Sequence, residues 1–184
     1  PSPSYLCSVV ALPVGPYFRR GGAAVALWVA ENFTRAAAGG TGDAKCGGNY
    51  GGAYYPTQLA RQQGYDQVLW TDSSEHRYIE ESGMMNVMFV INDKLVTPPL
   101  SDSILDGVTR NSLLTLANGL GYTTEERPVS VTELEAAFRE KTITEAFGAG
   151  TAAVVAPIGT IHISGVHYYL PEYGTGNLMN KLKQ

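Results

Sequence analysis

Apolar residues along this chain fall in short unbroken blocks more often than in long stripes. Residues 5–12 (YLCSVVAL) and 24–30 (AVALWVA) are dense in β-branched and apolar side chains, and each predicts a buried strand. Residues 13–22 (PVGPYFRRGG) between them predict a loop, because proline and glycine punctuate both ends. Residues 31–38 lead into a glycine-rich loop. Residues 54–63 (YYPTQLARQQ) read as a helix with Pro56 in its first turn and Gly64 at its end. A short strand follows at 67–70. Residues 86–91 and 94–97 flank Asn92-Asp93, a pair with hairpin-turn composition. A helix is predicted over 108–120, closed by Gly121. Another spans 132–141, with Thr132 as N-cap and Glu135 completing a capping box. Residues 143–163 alternate strands about a turn at Gly148-Ala149-Gly150, and 173–183 predict a terminal helix. There is no internal repeat and no low-complexity segment. Strands outnumber helices, so the fold class expected is α+β (mixed α/β).

Composition narrows the picture. The 184 residues are 44% hydrophobic and 16% charged, which fits one globular domain with a sizeable core. A net charge of −4 offers no general attraction for nucleic acid or acidic membranes, and neither is expected as a partner. No apolar run approaches the ~20 residues of a membrane span. No secretory signal pattern opens the chain, so a cytoplasmic protein is expected. The Asn32-Phe33-Thr34 sequon is then read as unmodified. Cys7 and Cys46 stand in no metal-binding or CxxC spacing; reduced thiols and no metal site are expected. There is no initiator Met, and Pro1-Ser2-Pro3-Ser4 reads as a linker, which suggests a chain cut from something longer.

Four stretches carry candidate chemistry. In residues 39–52 (GGTGDAKCGGNYGG), Lys45 stands between two glycine clusters. A nucleotide P-loop requires Gly before its lysine and Ser or Thr after it; Ala44 and Cys46 fail both positions. Two readings stay open: a solvated surface lysine, or an amine nucleophile just past a buried strand. In residues 78–86 (YIEESGMMN), Glu80 is read as part of a solvated acidic turn. Glu81 is either the same or a carboxylate that keeps a ring nitrogen protonated. Leu105-Asp106-Gly107-Val108-Thr109 opens a helix with glycine, and any helix start offers unpaired N–H groups to an anion. Residues 148–152 (GAGTA) are either an ordinary turn or a second anion contact.

Taken in order, GGTGDAKCGGNY, EESGMMN, LDGVTRNSLL and FGAGTAAVVAP, preceded by PVGPYF, closely resemble the class IV aminotransferases, and within them the branched-chain amino acid aminotransferases. The resemblance covers about residues 8–161. It implies the large C-terminal domain of the fold type IV enzymes, spanning 5–184 after a linker at 1–4, with pyridoxal 5′-phosphate as cofactor. The family's N-terminal small domain, which holds the main phosphate-binding arginine, is not in these residues. By the resemblance Lys45 is the Schiff-base lysine and the proton shuttle. Tyr50 reaches the cofactor's phenolic oxygen, Glu81 faces the pyridine nitrogen, and Arg35 lies near the cofactor. Gly107, Val108, Thr109 and Thr151 contact the phosphate. Thr151 and Ala152 also meet the substrate carboxylate, and Tyr17 lines the side-chain pocket.

The reaction implied is two-stage transamination of leucine, isoleucine or valine with 2-oxoglutarate, giving branched 2-oxo acids and glutamate, in a homodimer. The alternatives are a D-amino acid aminotransferase or an aminodeoxychorismate lyase of the same fold, or a cofactor-binding fragment without turnover. Two departures stand out. Met84 replaces the Thr or Gly of some relatives, and Ala153 and Ala156 stand where certain members carry a redox CxxC.

Overall fold

The computed structural model describes residues 2–13, 24–152 and 154–184. The elements run β1 (Val25–Val29), α1 (Gly47–Gln62), β2 (Gln67–Thr71), β3 (Ile79–Ser82), β4 (Met85–Ile91), β5 (Lys94–Thr97), α2 (Val108–Gly119), β6 (Thr124–Glu126), α3 (Val131–Arg139), β7 (Ile143–Gly150), β8 (Val154–Ile163), β9 (Val166–Tyr169) and α4 (Leu178–Leu182). The strand order is β3-β2-β1-β8-β7-β4-β5-β6, and β3 also pairs with β4. That extra pairing closes six strands into a ring, which leaves no open edge among them. β5 and β6 extend the sheet on one side, and β9 adds to β8. The architecture is α+β, as the sequence pattern implies.

The block pattern of the sequence has a direct cause. In β4, Met85, Val87, Phe89 and Ile91 join one core while Met88 and Val90 join another. A strand covered on both faces needs no polar alternation. The first core is shared with β1, β8 and α3; the second packs beneath α2 and α4; a third joins Trp70 and Val68 to α1. The expected hairpin forms between β4 and β5, with Asn92 and Asp93 at φ 50° and 60°. Both residues tolerate the left-handed region that a type I′ turn demands.

Several expectations are corrected. Residues 5–12 form no strand; they are exposed, Leu6 to 94%. Their apolar pattern states a propensity, but a strand also needs a free neighbouring edge. Both edges of β1 are taken by β2 and β8. Helix α1 starts at Gly47, not residue 54, so Pro56 lies inside it and is buried. Its glycines each oppose helix by about 1 kcal/mol relative to Ala. Tertiary contacts offset them: Asn49 Nδ2 donates to the carbonyls of Thr41 at 2.6 Å and Ala44 at 3.1 Å, and Ala60 is fully buried. Gly148-Ala149-Gly150 end β7 instead of making the turn, which falls at Thr151-Ala152. A Cβ at Gly148 would meet Met85 Cε at 2.6 Å, so the Met85 side chain lies directly over this glycine. The terminal helix is shorter than expected, Leu178–Leu182; the buried Glu145 carboxylate accepts the N–H groups of Leu178 and Met179.

The cap of α3 is Ser130, not Thr132: its hydroxyl accepts from Glu133 N at 3.0 Å. Glu133 does not reach back to the cap but binds Arg127 at 2.7 Å, so Ser130 carries the capping alone. Ser130→Ala is expected to lower stability by about 1 kcal/mol, and Thr132→Ala by much less. Thermal denaturation of the two variants checks this.

Candidate functional site

The elements converge on a cavity of about 400 Å³. It is lined by Lys45 and Tyr50, by Glu81 and residues 84–86, and by residues 105–109 and 149–152. The structure therefore gathers Lys45, Tyr50, Glu81, Gly107, Val108, Thr109, Thr151 and Ala152 around one space. Arg35 stands behind Glu81. Tyr17 lies outside the described residues.

Lys45 sits in the turn before α1 and is exposed, with Nζ 6.0 Å from the Tyr50 ring centre. Its loop is clamped against residues 102–103. Asp43 N donates to Asp102 O at 3.1 Å, and Gly39 N to Asp102 Oδ2 at 2.5 Å. A Cβ at Gly42 would fall 2.5 Å from Ser103 Cα, so only glycine permits this backbone approach. The glycines thus bring the lysine's loop to a second loop and leave its amine free over the cavity.

Glu81 is buried, and so is Glu80. On a regular strand neighbours alternate faces. Here Leu69 pairs with Ser82 and Thr71 with Ile79, so β3 holds one residue more than β2 between these points. Such a bulge re-aims side chains. Ile79 joins the first core while Glu80 and Glu81 both contact the segment 103–105. Glu81 Oε1 accepts from Leu105 N at 2.8 Å, and Oε2 lies 3.1 Å from Arg35 Nε. That contact is an ion pair whose angle leaves Nε without an aligned hydrogen bond. Burial pushes the Glu81 carboxyl up to about 7, against the opposing pull of Arg35, the Leu105 N–H and Lys45. Glu80 corrects the expectation of a solvated turn: Oε1 accepts from Ser103 Oγ at 2.5 Å, and burial raises its carboxyl as well.

The sequence reading missed Asn86. It faces Glu81 across the β3–β4 hairpin, and Nδ2 donates to Leu105 O at 2.8 Å, with Glu81 Oε1 at 3.5 Å. The signal was present in EESGMMN, where a polar residue opens an apolar strand five positions after Glu81. Gly107 is the N-cap of α2 and supplies no side-chain cap. A Cβ there would meet Asn86 Oδ1 at 2.2 Å. The first-turn N–H groups of α2 have no intrahelical acceptor, and they open beside the cavity with the positive end of the helix dipole. Thr151 and Ala152 form the exposed β7–β8 turn at its rim.

An amine, a buried carboxylate and an open helix start on one cavity suit an anionic ligand with an electrophilic carbon. Among the described residues, no group of three or more His, Cys, Asp or Glu could hold a metal ion. No described helix is long and apolar enough to cross a membrane.

Comparison with known proteins adds identity to this geometry. Residues 1–161 match the family model described as amino-transferase class IV. The probable branched-chain-amino-acid aminotransferase of Streptomyces coelicolor is 44% identical over 183 residues, covering 100% of this chain and 51% of that protein. The chain thus spans about half the length of such curated relatives. The branched-chain aminotransferase of Thermoproteus uzoniensis, solved with norvaline, superposes with a TM-score of 0.78 at 29% identity. The match covers 94% of this chain and 52% of that one. The Thermobaculum terrenum enzyme in its PLP-form superposes with a TM-score of 0.69 at 26% identity, covering 89% of this chain and 50% of that one.

Proposed function

This chain belongs to the class IV aminotransferases, and from that membership we propose that it is the cofactor-holding part of a branched-chain amino acid aminotransferase. The carrying observation is one cavity lined by Lys45, buried Glu81 and the open start of α2. The group implied is pyridoxal 5′-phosphate, and the residues fit it: a buried carboxylate on the cavity, a helix opened by glycine and an exposed lysine. When bound, that cofactor supplies an electrophilic aldehyde and a ring that accepts the electrons of a substrate carbanion.

Lys45 would hold the cofactor through its amine and would move the proton at the substrate Cα. Glu81 would keep the ring nitrogen protonated, and Arg35 pairs with Glu81 at 3.1 Å. Val108 and Thr109 would donate to the phosphate, and Thr151, which lines the same cavity, would add a contact. The Tyr50 hydroxyl, on α1, would orient the ring. Backbone N–H groups of Thr151 and Ala152 receive the substrate carboxylate. The substrates proposed are leucine, isoleucine or valine with 2-oxoglutarate, and the assembly a homodimer in the cytoplasm. The names of its relatives favour this over a D-amino acid aminotransferase or an aminodeoxychorismate lyase.

The test offers the protein, loaded with pyridoxal phosphate, L-leucine, D-alanine or aminodeoxychorismate. The first two are each given with 2-oxoglutarate, and product release is measured. Faster glutamate formation from L-leucine is expected. A preference for D-alanine, or pyruvate release from aminodeoxychorismate, would replace the reading. Cofactor binding without turnover of any would mark the chain as a binding fragment.

A further inference from the structure

Glu80 is a buried group next to the site that the proposed chemistry does not use. The β3 bulge turns it to the same side as Glu81. Its Oε1 accepts from Ser103 Oγ at 2.5 Å, and Ser103 Oγ also meets Ser101 Oγ at 3.0 Å. Glu80 Oε2 is buried with no hydrogen-bond partner among the described residues. A buried, half-satisfied carboxylate costs stability. Burial raises its carboxyl; Ser103 and Arg35 pull it back down, and Asp72 and Asp102 push it up. Such a group is a poor stabiliser, so its placement calls for another role.

That role is visible in what Ser103 connects. Its carbonyl accepts from Arg35, the cation paired with Glu81. Two residues on, Leu105 N donates to Glu81. Two further on, Gly107 starts α2. One short segment is therefore held at Ser103 by Glu80 and at Leu105 by Glu81, and it ends at the anion-binding helix start. Gly42 packs against the Ser103 backbone, so the segment cannot slide toward the lysine loop. We propose that Glu80 is a positioning residue: through Ser103 it fixes the segment 103–107, and so sets the α2 start at the right distance from Glu81 for a phosphorylated ring. This rests on the reading of the cavity as a pyridoxal phosphate site.

The test titrates pyridoxal 5′-phosphate and unphosphorylated pyridoxal separately into the 184-residue chain and compares their affinities. Glu80→Ala and Ser103→Ala are expected to weaken pyridoxal phosphate binding roughly tenfold, the scale of one lost hydrogen bond to a charged group. Pyridoxal, which does not use the helix start, should lose less than about twofold on the same reasoning. Glu80→Gln keeps an acceptor for Ser103 and should retain most of the phosphate's advantage. Should Glu80→Ala unfold, Ser103→Ala carries the measurement, since it removes one hydroxyl only. An unchanged ratio of the two affinities overturns the proposal, whether both hold or both fall together. Wild-type protein that binds neither compound overturns it by removing the reading beneath it. Wild-type binding with an unchanged variant ratio overturns the role of Glu80 alone.

Discussion

Lys45→Ala is expected to abolish covalent retention of pyridoxal phosphate. Wild-type protein treated with the cofactor and then borohydride should keep one cofactor per chain in an intact mass spectrum, and the variant none. The glycine at 42 lets the lysine loop lie against Ser103, and Asn49 ties the loop to the first turn of α1. The amine between these anchors remains exposed above the cavity. The variant should still bind cofactor without a covalent bond, because Glu81 and the α2 start are untouched. Where the wild type transaminates, the rate should drop by roughly 10²–10⁴-fold, the scale of a lost acid–base group. A variant that retains the label after reduction would place the covalent site on another lysine.

The second large effect is expected at Glu81, and it has a definite sign. Burial raises its carboxyl from the ordinary value of 4.5 to about 7. A carboxyl raised in the folded state binds protons that the unfolded chain has already released. Its contribution to stability is complete below pH 4.5 and is lost as pH rises toward 7. By linkage the loss is about 3 kcal/mol. Cofactor-free wild-type protein should therefore lose stability across this window, and Glu81→Gln, which cannot ionise, should lose less. Chemical denaturation at pH 5 and pH 7.5 reads the difference. Bound pyridoxal phosphate should reverse the preference, because a protonated ring nitrogen beside Glu81 favours the ionised carboxylate. Bound cofactor should flatten the wild-type slope and leave the variant's unchanged. Turnover by Glu81→Gln should fall roughly 10²–10³-fold, as for removal of one charge-stabilising group. An equal pH slope in both proteins would show that Glu81 is not the titrating group.

The two carboxylates also mark where sequence reading stopped. In EESGMMN the adjacent glutamates differ only in position, and alternation along a strand assigns them opposite faces. The β3 bulge overrides that rule, and it exists because β2 and β3 pair out of step at Leu69 and Thr71. Nothing within the motif states the register of another strand. Asn86 is a mixed case: its pairing with Glu81 across the hairpin lies inside the motif, but its acceptor, Leu105 O, lies in a distant loop. Residues 5–12 show the converse. Their composition is that of a strand, but the ring closes without them.

Local rules succeeded where the physics is local. The Asn92-Asp93 turn, the unbroken apolar run of β4 and the boundary of α2 at Gly107 depend on neighbours in sequence. So does the ordered set of motifs around Lys45, Glu81, Gly107 and Thr151, which was sufficient to point to the family. The sequence alone therefore determined the chemical groups available and the class of reaction they suit. Only the tertiary structure decided which groups are buried, and what each one faces. Strand register, loop-to-loop contact and desolvation join residues far apart in the chain, and these are what set Glu80 and Glu81 side by side behind the same cavity.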